Sequence, residues 1–151
     1  MDDISVYWGF SPLVGKCAMP SNLLFVYGTL RIGCAHSMAA RLLSEADYLG
    51  PATVGGKLYR IADYPGLMPG PEGRVTGDLF RLTDADATLA WIDAYEEVTP
   101  DFPAPREYRR ERMTVETGGG AVMAWVYVYT RDPEGLPSIV GGDFLLADEA
   151  Q

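Results

Sequence analysis

The stretch Leu23-Leu24-Phe25-Val26-Tyr27-Gly28-Thr29-Leu30-Arg31 decides how this chain is read. Its first five residues are aliphatic or aromatic and uncharged, the composition of a buried strand. Gly28 then permits a backbone turn that a side chain would obstruct. A tight turn leaving a buried strand presents backbone amides at one end of a core, a place suited to an anion or a carbonyl oxygen.

Downstream of the turn, residues 35–44 (AHSMAARLLS) read as a short helix with Met38, Leu42 and Leu43 on its apolar face, stopped by Tyr48-Leu49-Gly50-Pro51. Residues 52–61 read as a strand. The Pro- and Gly-rich segment 64–73 (YPGLMPGPEG) is expected to be an irregular loop of the sort that lids a pocket. Strand alternation resumes over 74–82. Thr83-Asp84-Ala85-Asp86 has the form of a capping box and opens a second helix that runs to about Tyr95 or Glu97. Residues 98–106 hold three prolines and are expected to be loop, and 108–117 with 121–130 form a hairpin around Gly118-Gly119-Gly120. The tail after Arg131 is given no structure. Five to six or more strands in hairpin-like succession with two main helices predict an α+β domain with a curved, barrel-like sheet, not a doubly wound parallel one.

At 151 residues the chain fits one domain, residues 22–151, preceded by an N-terminal extension, residues 1–21, to which no role is given. Two cysteines, Cys17 and Cys34, are no disulfide framework and suit a reducing compartment, so the protein is expected to be cytoplasmic. A formal charge of -9 argues against a nucleic-acid partner, which clustered lysine and arginine would have to hold. No apolar run is long enough to span a membrane, and Asp2 and Asp3 stand where a secretory signal would be basic.

Helical phase singles out one carboxylate. With about 100° per residue, Ala85, Leu89 and Ile92 define the core stripe of the second helix, and Glu96 falls about 20° from Leu89. Glu97 falls instead on the side of Asp86 and Asp93, read as the solvated face. A carboxylate on an apolar face is costly to bury ionised, so its pKa is expected to rise, which suits a general acid or base. The competing reading is a helix-end glutamate that bends out to water. A metal site lacks ligands because His36 is the only histidine, and no cofactor is expected. Gly28 and Gly33 have phosphate-loop spacing, but Cys34-Ala35 stands where lysine and a hydroxyl residue are required. The strand tyrosines Tyr59, Tyr108, Tyr127 and Tyr129 read as core or rim.

Tyr27-Gly28-Thr29-Leu30-Arg31 with Gly33 and His36 resembles the opening signature of the γ-glutamylcyclotransferase-like (AIG2-like) family. The resemblance continues through Gly56-Lys57-Leu58-Tyr59, Tyr64-Pro65-Gly66-Leu67, Val75-Thr76-Gly77-Asp78-Leu79-Phe80, Ile92-Asp93-Ala94-Tyr95-Glu96, Tyr108-Arg109-Arg110 and Ala124-Trp125-Val126-Tyr127-Val128-Tyr129. It implies a small mixed-sheet barrel and a pocket for a small-molecule γ-glutamyl substrate, cyclised to 5-oxoproline. Its catalytic glutamate maps to Glu96, with Tyr27, Gly28, Thr29 and Leu30 binding substrate and Tyr108 a hydrogen-bond donor to it. Two departures stand out: Glu97, where many relatives have glycine, and the Pro-rich insertion before Tyr108. Removal of a γ-glutamyl group from a biosynthetic acyl chain, and ligand binding without turnover, are the competing functions.

Overall fold

The computed structural model describes residues 22–62, 64–96 and 107–145. The expected extension, Glu97 and nearly all of the Pro-rich insertion lie outside them. The elements in chain order are β1 (Leu23–Val26), α1 (Ser37–Glu45), β2 (Ala46–Arg60), β3 (Pro65–Leu82), α2 (Ala85–Tyr95), β4 (Tyr108–Thr117) and β5 (Gly120–Tyr129). Five strands close into a barrel in the order β1-β3-β2-β4-β5, antiparallel except where Leu24 of β1 meets Trp125 of β5. The α+β class and the barrel-like sheet expected from the sequence are those found.

Alternation along β1 divides the apolar residues between two cores. Phe25 and Tyr27 point into the barrel with Val54, Leu58, Leu67, Val75, Leu79, Val115 and Val126. Leu24 and Val26 point outward, where they pack with Leu42 of α1, Leu89 and Ile92 of α2, and Phe80, Tyr108 and Tyr127. The turn that follows β1 thus emerges between two packed layers.

Three expectations are corrected. Residues 64–73 are not an irregular lid: from Pro65 onward they belong to β3, with Arg60↔Pro65, Tyr59↔Gly66, Leu58↔Leu67, Lys57↔Met68 and Gly56↔Pro69 in register. Proline is tolerated because Pro65 begins the strand and residues 70–73 are extruded as an irregularity opposite Gly55 and Gly56. Gly66 has a packing reason as well, since a Cβ there would meet the Tyr129 ring at 2.9 Å. Second, Tyr48 to Pro51 does not merely end a helix but lies inside β2, where a register shift passes between Tyr48 and Gly50. Third, the tail is ordered through β2 and β3: the Ile139 amide donates to the Leu58 carbonyl (2.7 Å), the Arg60 amide to Pro137 (2.9 Å) and the Thr76 amide to Gly142 (2.8 Å). Ile139 and Phe144 complete the barrel core.

Both helices start on side-chain caps. His36 caps α1, its Nδ1 accepting from the Met38 amide at 3.1 Å. Asp84, one residue after the expected Thr83, caps α2 by accepting from the Ala87 amide at 3.2 Å.

Candidate active site

A cavity of about 260 Å³ opens where β1 ends, lined by Tyr27, Gly28, Thr29 and Leu30 together with Tyr95 and Glu96 of α2, His36, Tyr64, Pro65, Glu107, Tyr108 and Tyr127. All six residues singled out from the sequence, Tyr27, Gly28, Thr29, Leu30, Glu96 and Tyr108, are brought to this one place.

The turn is fixed from beneath. The Arg31 amide donates to the Gly28 carbonyl at 3.0 Å, closing it. The buried Arg31 side chain reaches Asp78 through Nε at 3.0 Å and Asp143 at 2.8 Å, and Asp78 also accepts from the Ile32 amide and the Tyr48 hydroxyl. Gly28 is required by a neighbour: an added Cβ would sit 2.8 Å from two carbons of the Pro65 ring. Among the described residues no hydrogen bond is donated by the Thr29 or Leu30 amides, so the turn offers backbone donors at the cavity rim.

The tyrosines form the wall. The Tyr27 hydroxyl donates to the Tyr127 carbonyl and accepts from the Leu67 amide (3.2 Å). The Tyr108 hydroxyl donates to the Pro65 carbonyl at 2.6 Å. With its hydrogen on Pro65, the Tyr108 oxygen still has lone pairs that can accept. Burial pushes the phenols of Tyr27, Tyr108 and Tyr127 well above the ordinary range. The Glu96 carboxylate adds to the rise at all three, which puts its charge within electrostatic reach of each.

Glu96 ends α2, its amide donating to the Ile92 carbonyl at 2.8 Å. Three residues earlier, Asp93 accepts two bonds from Arg110 (2.8 and 3.0 Å) and one from the Tyr127 hydroxyl (2.6 Å). Asp93 is therefore not on a solvated face, as helical phase suggested, because β4 and β5 supply its partners. The other carboxylate of the lining, Glu107, accepts from the Tyr64 hydroxyl with both oxygens (2.8 and 3.0 Å) and pairs with Arg131 at 3.5 Å. Burial and that contact push the Tyr64 phenol up to about 12.

His36, Tyr64, Tyr95 and Glu107 were not singled out as site residues. Tyr95 had a signal in its adjacency to Glu96, whereas His36 reads only as a helix-start residue until the fold brings it to Tyr95. Among the described residues no group of three or more His, Cys, Asp or Glu side chains could hold a metal ion, and no helix is long and apolar enough to cross a membrane.

The five-stranded barrel, with the YGTL turn and Glu96 on one cavity, is the arrangement implied by the resemblance to the γ-glutamylcyclotransferase-like family. Residues 24–146 match the family model described as "Gamma-glutamyl cyclotransferase, AIG2-like", and the chain belongs to that family of enzymes. It is 35% identical over 127 residues to the γ-glutamylcyclotransferase family protein YtfP of Escherichia coli K12, covering 83% of this chain and 98% of that protein. It is 34% identical over 123 residues to the γ-L-glutamyl-butirosin B γ-glutamyl cyclotransferase of Niallia circulans, covering 80% of this chain and 74% of that protein. The crystal structure of an AIG2-like protein from Mus musculus superposes with a TM-score of 0.61 at 26% identity, covering 78% of this chain and 85% of that one.

Proposed function

We propose that this protein cleaves a γ-glutamyl amide by intramolecular aminolysis, with Glu96 as general acid and base. The α-amine nitrogen bonds to the γ-carbonyl carbon of the same glutamyl group, and the bond from that carbon to the leaving nitrogen breaks. Glu96 takes the proton released by the attacking nitrogen and returns it to the leaving one, so 5-oxoproline and a free amine form with no net proton change. Nucleophile and electrophile belong to one molecule, so the site has mainly to hold a cyclic conformer, which accounts for its small set of special residues. Tyr27, Gly28, Thr29, Leu30 and Tyr108 surround the glutamyl group in this reading.

The observation that carries the proposal is that Glu96 lines the same cavity as the Gly28–Leu30 turn. The other carboxylate of the lining, Glu107, holds the Tyr64 hydroxyl and Arg131. The test is 5-oxoproline release from a panel of γ-glutamyl amines and amino acids. Glu96→Gln is expected to lower kcat by roughly 10²- to 10⁴-fold with the fold intact; undiminished turnover would remove Glu96 from the role.

A second reading is the same cyclisation applied to a γ-glutamylated biosynthetic acyl chain, favoured by the likeness to the Niallia circulans protein. Faster turnover of γ-L-glutamyl-butirosin B than of simple γ-glutamyl amines would select it. Micromolar binding of γ-glutamyl compounds with no product after long incubation would instead make the protein a binding module.

A further inference from the structure

The described cavity lining holds two carboxylates, Glu96 and Glu107, and neither lysine nor arginine. The reaction proposed above brings one cation to this pair, the α-ammonium that gives up its proton to Glu96. Glu107 is left for another. Its backbone is held just ahead of β4, where its carbonyl accepts from the Thr130 amide at 2.8 Å. Its side chain is 26% exposed and accepts from the Tyr64 hydroxyl, which lies 2.8 and 3.0 Å from its two oxygens. One phenol supplies one hydrogen, and an ionised carboxylate has about four lone-pair sites, so acceptor capacity remains. Arg131 approaches at 3.5 Å, but its side chain is 48% exposed and stands outside the lining, where water weakens its hold.

The surroundings of Glu107 suit an organic cation. Tyr64 and Tyr108 both line the cavity, with ring centroids 6.3 Å apart, and the faces of phenol rings attract ammonium groups. Burial raises the Tyr108 phenol, and Tyr27, Glu96 and Glu107 raise it further, so both carboxylates lie within electrostatic reach of one wall residue. The formal charge of -9 over the whole chain adds a field that draws cations. We propose that Glu107 is a specificity-determining residue, which holds a second ammonium, carried by the leaving amine, beside the Tyr64 ring. The substrate class is then a γ-glutamylated diamine, acylated on one nitrogen and protonated on the other. The inference rests on the γ-glutamyl reading above and adds to it the charge of the group expelled.

The test compares kcat/KM for three γ-L-glutamyl amides of similar length, made from 1,4-diaminobutane, n-pentylamine and 5-aminopentanoate. Their far ends are cationic, neutral and anionic. The wild type is expected to prefer the diaminobutane amide over the pentyl amide roughly five- to fiftyfold, with the anionic amide poorest. Glu107→Gln, which keeps an acceptor for Tyr64, brings that ratio close to one, and Glu107→Lys reverses the order in favour of the aminopentanoate amide. No preference for the cationic amide in the wild type, or a ratio unchanged in Glu107→Gln, would overturn the assignment. Should neither variant fold, the wild-type preference is followed from low to high sodium chloride: a half-exposed ion pair is screened, so shrinkage supports the assignment and indifference to salt overturns it. Should the wild-type protein turn over no γ-glutamyl amide, the functional reading fails and calorimetric titration with 1,4-diaminobutane decides this one. Weaker diamine binding in Glu107→Gln than in the wild type would then support it; equal binding, or none by the wild type, would overturn it.

Discussion

The turn after β1 and the last turn of α2 both line the cavity, and each is fastened by an arginine–aspartate pair, yet the two fasteners differ in kind. Arg31 and Asp78 have side chains 9% and 1% exposed, while Arg110 and Asp93 are 25% and 19% exposed. The buried pair holds a backbone, whose amides can act only if the chain does not move. The half-exposed pair holds a helix end, which carries one side chain whose position water can still adjust. Rigidity is concentrated where the donors belong to the main chain.

Breaking the buried fastener should give the largest effect. Asp78→Ala leaves the Arg31 guanidinium with Asp143 alone and the Ile32 amide and Tyr48 hydroxyl without that carboxylate, and is expected to cost about 3–5 kcal/mol in denaturant unfolding. A cost under about 1 kcal/mol would mean that the pair is not the anchor. Gly28→Val drives a side chain into the Pro65 ring and should cost about 1–3 kcal/mol while abolishing 5-oxoproline release. Wild-type rates in that variant would place the chemistry elsewhere. On the other side of the comparison, Arg110→Met should cost only about 1–2 kcal/mol and slow turnover with the fold intact, read by thermal melts beside kcat. Arg110→Lys should recover little, because an ammonium cannot reproduce the two-pronged contact to Asp93. The smallest effect is expected from His36→Ala, about 1 kcal/mol from the lost cap of α1, measured in the same melts.

The same contrast separates what was legible in the sequence from what was not. β1 and the hairpin of β4 with β5 are local signals, and each is where the residues put it. Asp93 was misread because helical phase records which way a side chain leaves its own helix and nothing of the strands packed against it. Residues 64–73 look irregular one by one, but the ladder to β2 overrides their propensity and moves the irregularity into 70–73. The tail carries no periodic pattern because backbone bonds to Leu58, Arg60 and Thr76, far back in the chain, give it order. Thr29, Tyr95 and His36 are residues whose proximity exists only after folding.

The second carboxylate on Arg31 has a consequence for how the protein is made. Asp143 lies 112 residues beyond Arg31, and Phe144 beside it is buried in the barrel core. During synthesis the YGTL turn is made 112 residues before the carboxylate that completes its support. Closure of the barrel and completion of the turn then belong to one late event, built from contacts distant in sequence and correspondingly slow to form. A nascent chain stalled before that point would carry the signature without the support that fixes the site.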